Sequence, residues 1–181
     1  MATQRLEIGD GFHLAPIAPQ DKAAYLQHFA DPVIGRMLLA VPVPYTEADA
    51  DQWIAHRLKN AREHEIQFGI RLSDGFLIGG IGLVEGRSSA IYNGEIGYWL
   101  AAEYRGRGLM PRVIRAFAEY AFRELQLHKL TATTYPFNPS SSRALEKASF
   151  TLEGRLREHV RSRTGSEYYD ALVYGLVSPA R

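Results

Sequence analysis

The sequence predicts a single α/β domain over residues 1–181, with a mixed, mostly antiparallel central sheet flanked by about four helices. Three stretches lead to that class. Residues 91–122 change from a two-residue to a 3.6-residue apolar period across a glycine-rich turn. Phe68, Ile70 and Leu72 alternate, turn at Ser73-Asp74-Gly75, and return through residues 76–84, which are apolar on both faces and therefore central. Residues 150–161 and 167–177 form a second hairpin across Arg163-Thr164-Gly165-Ser166.

Taken in order, Phe12, Leu14 and Ile17 alternate as a first strand ended by Pro16 and Pro19. Residues 20–30 read as a helix with Ala23, Leu26 and Phe29 on one side, stopped by Asp31-Pro32. Residues 33–45 are apolar but broken by Pro42 and Pro44, which predicts a loop over the core. Thr46 and Asp49 have capping-box spacing at the start of a helix that buries Trp53, Ile54, Leu58 and Ala61. After the 68–84 hairpin, residues 85–90 read as a polar loop, and 91–100 as the next strand. A long helix follows, then a strand over 128–135 with Leu130 and Ala132 inward. Asn138 N-caps another helix with Pro139 at its first position and Ala144, Leu145 and Ala148 buried. The order is β-α-α-β-β-β-α-β-α-β-β.

Composition removes several function classes. Apolar content is 46% and charged content 23%, ordinary for a globular protein. No apolar run approaches the roughly 18 residues of a membrane span, and residues 1–7 hold no apolar signal core. A cytoplasmic protein without membrane association is expected. The absence of cysteine excludes disulfides, thiolate metal sites and a cysteine nucleophile. His13, His28, His56, His64, His128 and His159 show no metal-ligand spacing, so no metal is expected. A net charge of +1 argues against a general nucleic-acid binder, although Arg155, Arg157, Arg161 and Arg163 outnumber Glu153 and Glu158 locally.

Chemistry concentrates after the strand at 91–100, in which Ile96, Tyr98 and Leu100 alternate with Glu95, Gly97 and Trp99. A polar turn at 101–104 leads into Arg105-Gly106-Arg107-Gly108. The helix beyond carries Leu109, Met110, Val113, Ile114, Phe117, Ala118, Ala121, Phe122 and Leu125 on one stripe, with Arg112, Arg115, Glu119 and Arg123 mostly off it. The first N–H groups of a helix lack internal partners and face positive potential, and glycines let an anion approach the backbone. One helix-end charge contributes only about 0.3–1 kcal/mol, so holding a diphosphate needs several amides together with Arg105 and Arg107. The plain alternative is a tight strand-to-helix turn with solvated arginines. A Walker A loop would place Gly-Lys-Ser/Thr where Gly108-Leu109-Met110 stands, and Met110-Pro111 breaks a Rossmann fingerprint.

These residues resemble the GCN5-related N-acetyltransferases (GNAT), in particular the branch like the ribosomal-protein N-terminal acetyltransferases. That family's acetyl-CoA motif, Arg/Gln-x-x-Gly-x-Gly/Ala, corresponds to Arg105-Gly106-Arg107-Gly108-Leu109-Met110. Glu95-Ile96-Gly97-Tyr98-Trp99-Leu100 is similar to the branch's fourth strand. Asn138-Pro139-Ser140-Ser141, with Leu145-Glu146-Lys147 and Phe150, is similar to its Asn-x-x-Ser…Leu-Glu-Lys-x-Gly-Phe segment. Three positions depart from the pattern: Met110 replaces a small residue, Ser149 stands where glycine is usual, and Pro111 removes an N–H early in the helix, where proline is tolerated.

The resemblance implies the acetyltransferase fold, with the fourth and fifth strands (here 91–100 and 128–135) splayed apart, and acetyl-CoA as donor co-substrate. It also implies roles. Backbone groups of Tyr98, Trp99 and Leu100 would bond the pantetheine, with an N–H near Leu100 at the thioester oxygen. Arg105, Gly106, Arg107, Gly108, Leu109 and Met110 would hold the diphosphate. Asn138 would touch the CoA arm besides capping its helix. Relatives carry a tyrosine acid seven residues after the asparagine, but Leu145 stands there, so Ser141 becomes the candidate for protonating or orienting the CoA sulfur. Ser141 also has a plain reading as a residue satisfying the helix end.

Glu95 is the candidate base, through a water; a solvated strand carboxylate is the competing reading. Tyr168 and Asp170 border the acceptor in one reading, as do Met37, Leu38 and Tyr45; core packing is the other. The expected acceptor is a primary amine, first a protein or peptide N-terminus and second a small molecule such as a polyamine, amino sugar or amino acid. A non-catalytic acyl-CoA module is a further alternative. The oligomer is left between monomer and homodimer.

Overall fold

Leu6-Glu7-Ile8-Gly9 forms a short strand that the sequence does not announce. The computed structural model, which describes residues 5–38, 41–60, 65–88, 91–162 and 165–179, pairs Leu6–Gly9 (β1) antiparallel with Phe12–Pro16 (β2). Glu65–Arg71 (β3), Leu77–Ser88 (β4), Ile91–Leu100 (β5), Lys129–Thr134 (β6), Thr151–Arg161 (β7) and Tyr168–Val177 (β8) complete an eight-stranded sheet in the order β1-β2-β3-β4-β5-β6-β8-β7. The β1–β2, β2–β3, β6–β8 and β7–β8 ladders are antiparallel, and β5–β6 is parallel. The parallel register covers Asn93–Glu95 against Lys129–Thr131, while β5 itself runs on to Leu100. The helices are Lys22–Phe29 (α1), Pro32–Met37 (α2), Glu47–Asn60 (α3), Leu109–Arg123 (α4) and Pro139–Lys147 (α5). This is the expected mixed α/β architecture with one helix more than foreseen. With β1 counted, the fourth and fifth strands of the sequence reading become β5 and β6.

The chain divides into two compact units. The first comprises residues 1–83 and 98–109. Its core gathers Ile17, Ala24, Tyr25, Phe29, Ile34, Val41, Ile54, Leu77 and Trp99, with Leu38, Tyr45 and Trp53 against it. Phe29 is the hub, with ring centroids 4.9 Å from Trp99, 5.0 Å from Tyr45 and 5.5 Å from Trp53. Edge-on contacts of this kind add to the area each ring buries. Phe29 is buried as expected, but its partners on the inward face of α1 are Ala24, Tyr25 and His28, not Ala23 and Leu26: His28 can go inward because its Nε2 meets the Leu77 carbonyl at 3.0 Å. Pro32–Met37 is helical where a loop was expected, because Asp31 starts a helix: its Oδ1 accepts from Val33 N at 2.8 Å and Pro32 fills the first position.

The capping box of α3 forms as expected, Thr46 N donating to Asp49 Oδ2 at 2.8 Å and Asp49 N to Thr46 Oγ1 at 3.3 Å. Leu58, expected inside, is 46% exposed, and Ala61 lies outside the described residues. The hairpin turn closes with Gly75 N on Leu72 O at 2.9 Å. Beside it Arg71 is buried, gripping both oxygens of buried Asp21 at 2.7 Å each and donating to the Gly75 and Pro16 carbonyls.

The second unit comprises residues 84–97 and 110–181. β4 continues through Ser88, so residues 85–88 are strand where a polar loop was expected; Ala90 is outside the described residues. The predicted stripe of α4 is buried at Met110, Val113, Ile114, Phe117, Ala118 and Ala121. In α5 the buried positions are Ala144 and Leu145, followed by Ala148. β7 and β8 form the expected hairpin; Arg163 and Thr164 of its turn are outside the described residues.

Candidate active site

The end of β5 sets the geometry in the first unit. Ala101 N donates to Ile78 O at 2.8 Å, and a Cβ built on Gly79 would lie 2.7 Å from Trp99 O, so Trp99 and Ala101 turn their backbone groups towards β4. Alternation then turns Leu100 the other way, where its carbonyl accepts from Arg105 Nε at 2.8 Å. The Trp99 indole belongs to the core: its ring packs on Phe29, Tyr25 and His28, and a Cβ at Gly80 would lie 2.6 Å from Trp99 Nε1.

Beyond Leu100 a 3-10 turn, Ala102–Tyr104, delivers the chain to the glycine loop. Gly106 and Gly108 stand at φ +74° and +76°, and a Cβ at either would meet no protein atom within 4 Å. Glycine is required there by the backbone and not by crowding. Both glycines and Arg107 are exposed, whereas Leu109 and Met110 are buried where α4 begins. Exposed glycines at positive φ, with open space on their Cβ side and a helix of fifteen residues following, are features of an anion-binding helix start.

Arg105 does something that the sequence did not indicate. Besides the Leu100 carbonyl, its guanidinium holds Asp31, with Nη2 2.8 Å from Oδ2. Asp31 was missed because Asp31-Pro32 was read as the end of α1; an aspartate before proline was equally a signal for the start of a helix.

The second unit carries the remaining candidates. Asn138 caps α5, its Oδ1 accepting from Ser141 N at 3.3 Å, as the sequence predicts. Ser141 is half-buried in the first turn. Leu145, where relatives have tyrosine, is fully buried. Glu95 is exposed on β5 and accepts from Thr133 Oγ1 at 2.8 Å. Asp170 holds a distortion of β7: Glu158, at φ +48°, donates its N–H to Oδ1 at 2.9 Å, and Arg155 Nε lies 2.6 Å from Oδ2. Those two donors keep the Asp170 carboxyl below its ordinary range. Tyr168 is exposed, and Tyr169 packs on Phe137 at 5.2 Å. Among the described residues no group of three or more His, Cys, Asp or Glu is placed to hold a metal.

Residues 12–151 match the Acetyltransferase (GNAT) domain family. The chain belongs to the GNAT family. It is 40% identical over 119 residues to the probable N-acetyltransferase YjcK of Bacillus subtilis, a match covering 65% of either chain. Among solved structures, the ribosomal-protein-S5-alanine acetyltransferase of Vibrio fischeri is similar with a TM-score of 0.83 at 17% identity, covering 96% of both chains. The spermidine N-acetyltransferase of Vibrio cholerae, solved with CoA and spermine, gives a TM-score of 0.78 at 18% identity over 93% of this chain and 96% of that one. Those two likenesses concern the GNAT fold. Among the described residues no helix is long and apolar enough to cross a membrane.

Proposed function

We propose that this GNAT member acetylates the α-amino group of a polypeptide with acetyl-CoA as donor. The loop between β5 and α4 carries the donor half of the reading: two exposed positive-φ glycines with open space on their Cβ side at the start of a long helix. Acetyl-CoA supplies a thioester-activated acetyl group and a diphosphate by which it can be held. In this reading the amides of Gly106, Arg107, Gly108, Leu109 and Met110, with the Arg107 charge, hold the diphosphate. Backbone groups of Tyr98 and Leu100, on the edge that alternation turns away from β4, orient the pantetheine, with Leu100 N–H directed at the acyl oxygen, where negative charge develops; Trp99, whose carbonyl lies against Gly79, is not among them. On the motif resemblance Asn138 would touch the CoA arm, and Ser141, in place of the tyrosine that Leu145 replaces, would give the proton to the departing sulfur.

The acceptor follows from the base. Glu95 is exposed and hydrogen-bonded to Thr133, and it would act through a water. An α-amino group titrates near 7.7–8 and a lysine amine near 10.4, a difference of about 2.5 units or roughly 3.4 kcal/mol. A site with a solvated carboxylate base suits the more acidic amine.

The test is release of CoA thiol from acetyl-CoA with a panel of peptides, polyamines, amino sugars and amino acids. Turnover with peptide α-amines and a mass increase at the peptide N-terminus are expected. Turnover confined to polyamines or other small amines would overturn the acceptor assignment. CoA binding by calorimetry without turnover across the panel would point to a binding module.

A further inference from the structure

On that reading of the glycine loop, we propose that Asp31 is a positioning residue for acetyl transfer. Arg105 then acts with it as a brace on the end of β5, not as a ligand of the diphosphate. The guanidinium donates from two nitrogens to two acceptors: Nε to the Leu100 carbonyl and Nη2 to Asp31 Oδ2, each at 2.8 Å. The second oxygen of Asp31 takes Val33 N at 2.8 Å and starts α2. A carboxylate in contact with Arg105 offsets its charge, and a guanidinium that left Asp31 for a phosphate would set that carboxylate beside an anion.

The brace has a definite object. The peptide joining Leu100 to Ala101 is held at both ends, its carbonyl by Arg105 Nε and its N–H by the Ile78 carbonyl, each at 2.8 Å. In extended backbone the N–H and carbonyl of one residue point the same way, so holding Leu100 O also aims Leu100 N–H. A donor to a developing charge is effective only when its direction is set beforehand, and a misplacement near 1 Å can cost about 10²-fold. Arginine suits this task where lysine does not, because two nitrogens of a rigid planar fork reach two different acceptors at once.

The experiment compares D31N, R105K, R105Q and G108D by CoA calorimetry, steady-state kinetics and exchange of the Arg105 Nε–H resonance. D31N keeps the α2 cap, since asparagine caps as well as aspartate, and removes the charged contact. D31N and R105K are each expected to lower kcat on the order of tenfold. Their CoA affinity should stay within about twofold, since loop amides hold the diphosphate. Nε–H exchange should quicken in D31N, and the D31N/R105K double variant should be no slower than either single one.

Wild-type kcat in R105K, or tighter CoA binding in D31N, would overturn the proposal and make Arg105 a phosphate-facing cation. So would an R105Q variant that loses CoA affinity but keeps kcat. If G108D bound CoA like the wild type, the donor-site reading would fail and this proposal with it. If G108D loses binding while D31N turns over normally, the brace alone fails.

Discussion

The backbone N–H of Phe150 donates to the carbonyl of Leu145 at 3.0 Å, closing α5 over Ser149, whose own N–H reaches Glu146 O at 3.0 Å. Ser149 therefore occupies the left-handed position of a helix-ending motif, at φ +70°, where relatives have glycine. Ser149→Gly is expected to stabilise the protein by about 1 kcal/mol, because a left-handed L-residue costs roughly that much. Chemical denaturation measures it; an unchanged or lower midpoint would contradict the assignment.

Arg71 and Asp21 form the most enclosed ion pair described, both residues buried and both carboxylate oxygens engaged. Asp21→Ala leaves a buried guanidinium with only the Pro16 and Gly75 carbonyls. A loss of about 3–5 kcal/mol is expected, read from the denaturation midpoint. A loss below about 1 kcal/mol would mean that the pair is solvated in solution.

Thr46 and Asp49 give a pH signature. The Thr46 hydroxyl, and after it the Thr46 backbone N–H, hold the Asp49 carboxyl below its ordinary 3.8. A lowered folded-state value means that the contribution is present above the ordinary value and disappears as pH falls through the folded one. The Tm difference between wild type and T46A should thus be full at about pH 6 and shrink towards about pH 3. A difference that grew on acidification would reverse the sign and refute the contact.

Much of this was legible because the signals are local. The α4 stripe, the Asn138 cap, the Ser73-Asp74-Gly75 turn and the α3 capping box each depend on residues within a few positions of one another. The buried face of α1 was misread because His28 looks polar until the Leu77 carbonyl is brought to it, 49 residues away in sequence. β1 is only four residues long, too short for alternation to stand out. In the site, the glycine loop was legible from residue types, but the pairing of Arg105 with Asp31 spans 74 residues and left no periodic trace.

Ser141→Ala is expected to lower kcat about tenfold or more while changing CoA affinity by less than about twofold, since a proton donor acts on the reaction rather than on binding. Steady-state kinetics beside CoA calorimetry separates the two. Equal turnover by the two proteins would leave Ser141 as a residue of the helix start, where its N–H already meets Asn138.

The donor site itself is tested most directly by titrating CoA into wild type and Gly108→Asp in a calorimeter. The variant would place a carboxylate in the open space above a backbone at φ +76°. Wild type should bind CoA and the variant should lose affinity by at least about 100-fold, through charge repulsion and strain together. Equal affinity in the two proteins would show that the diphosphate binds elsewhere.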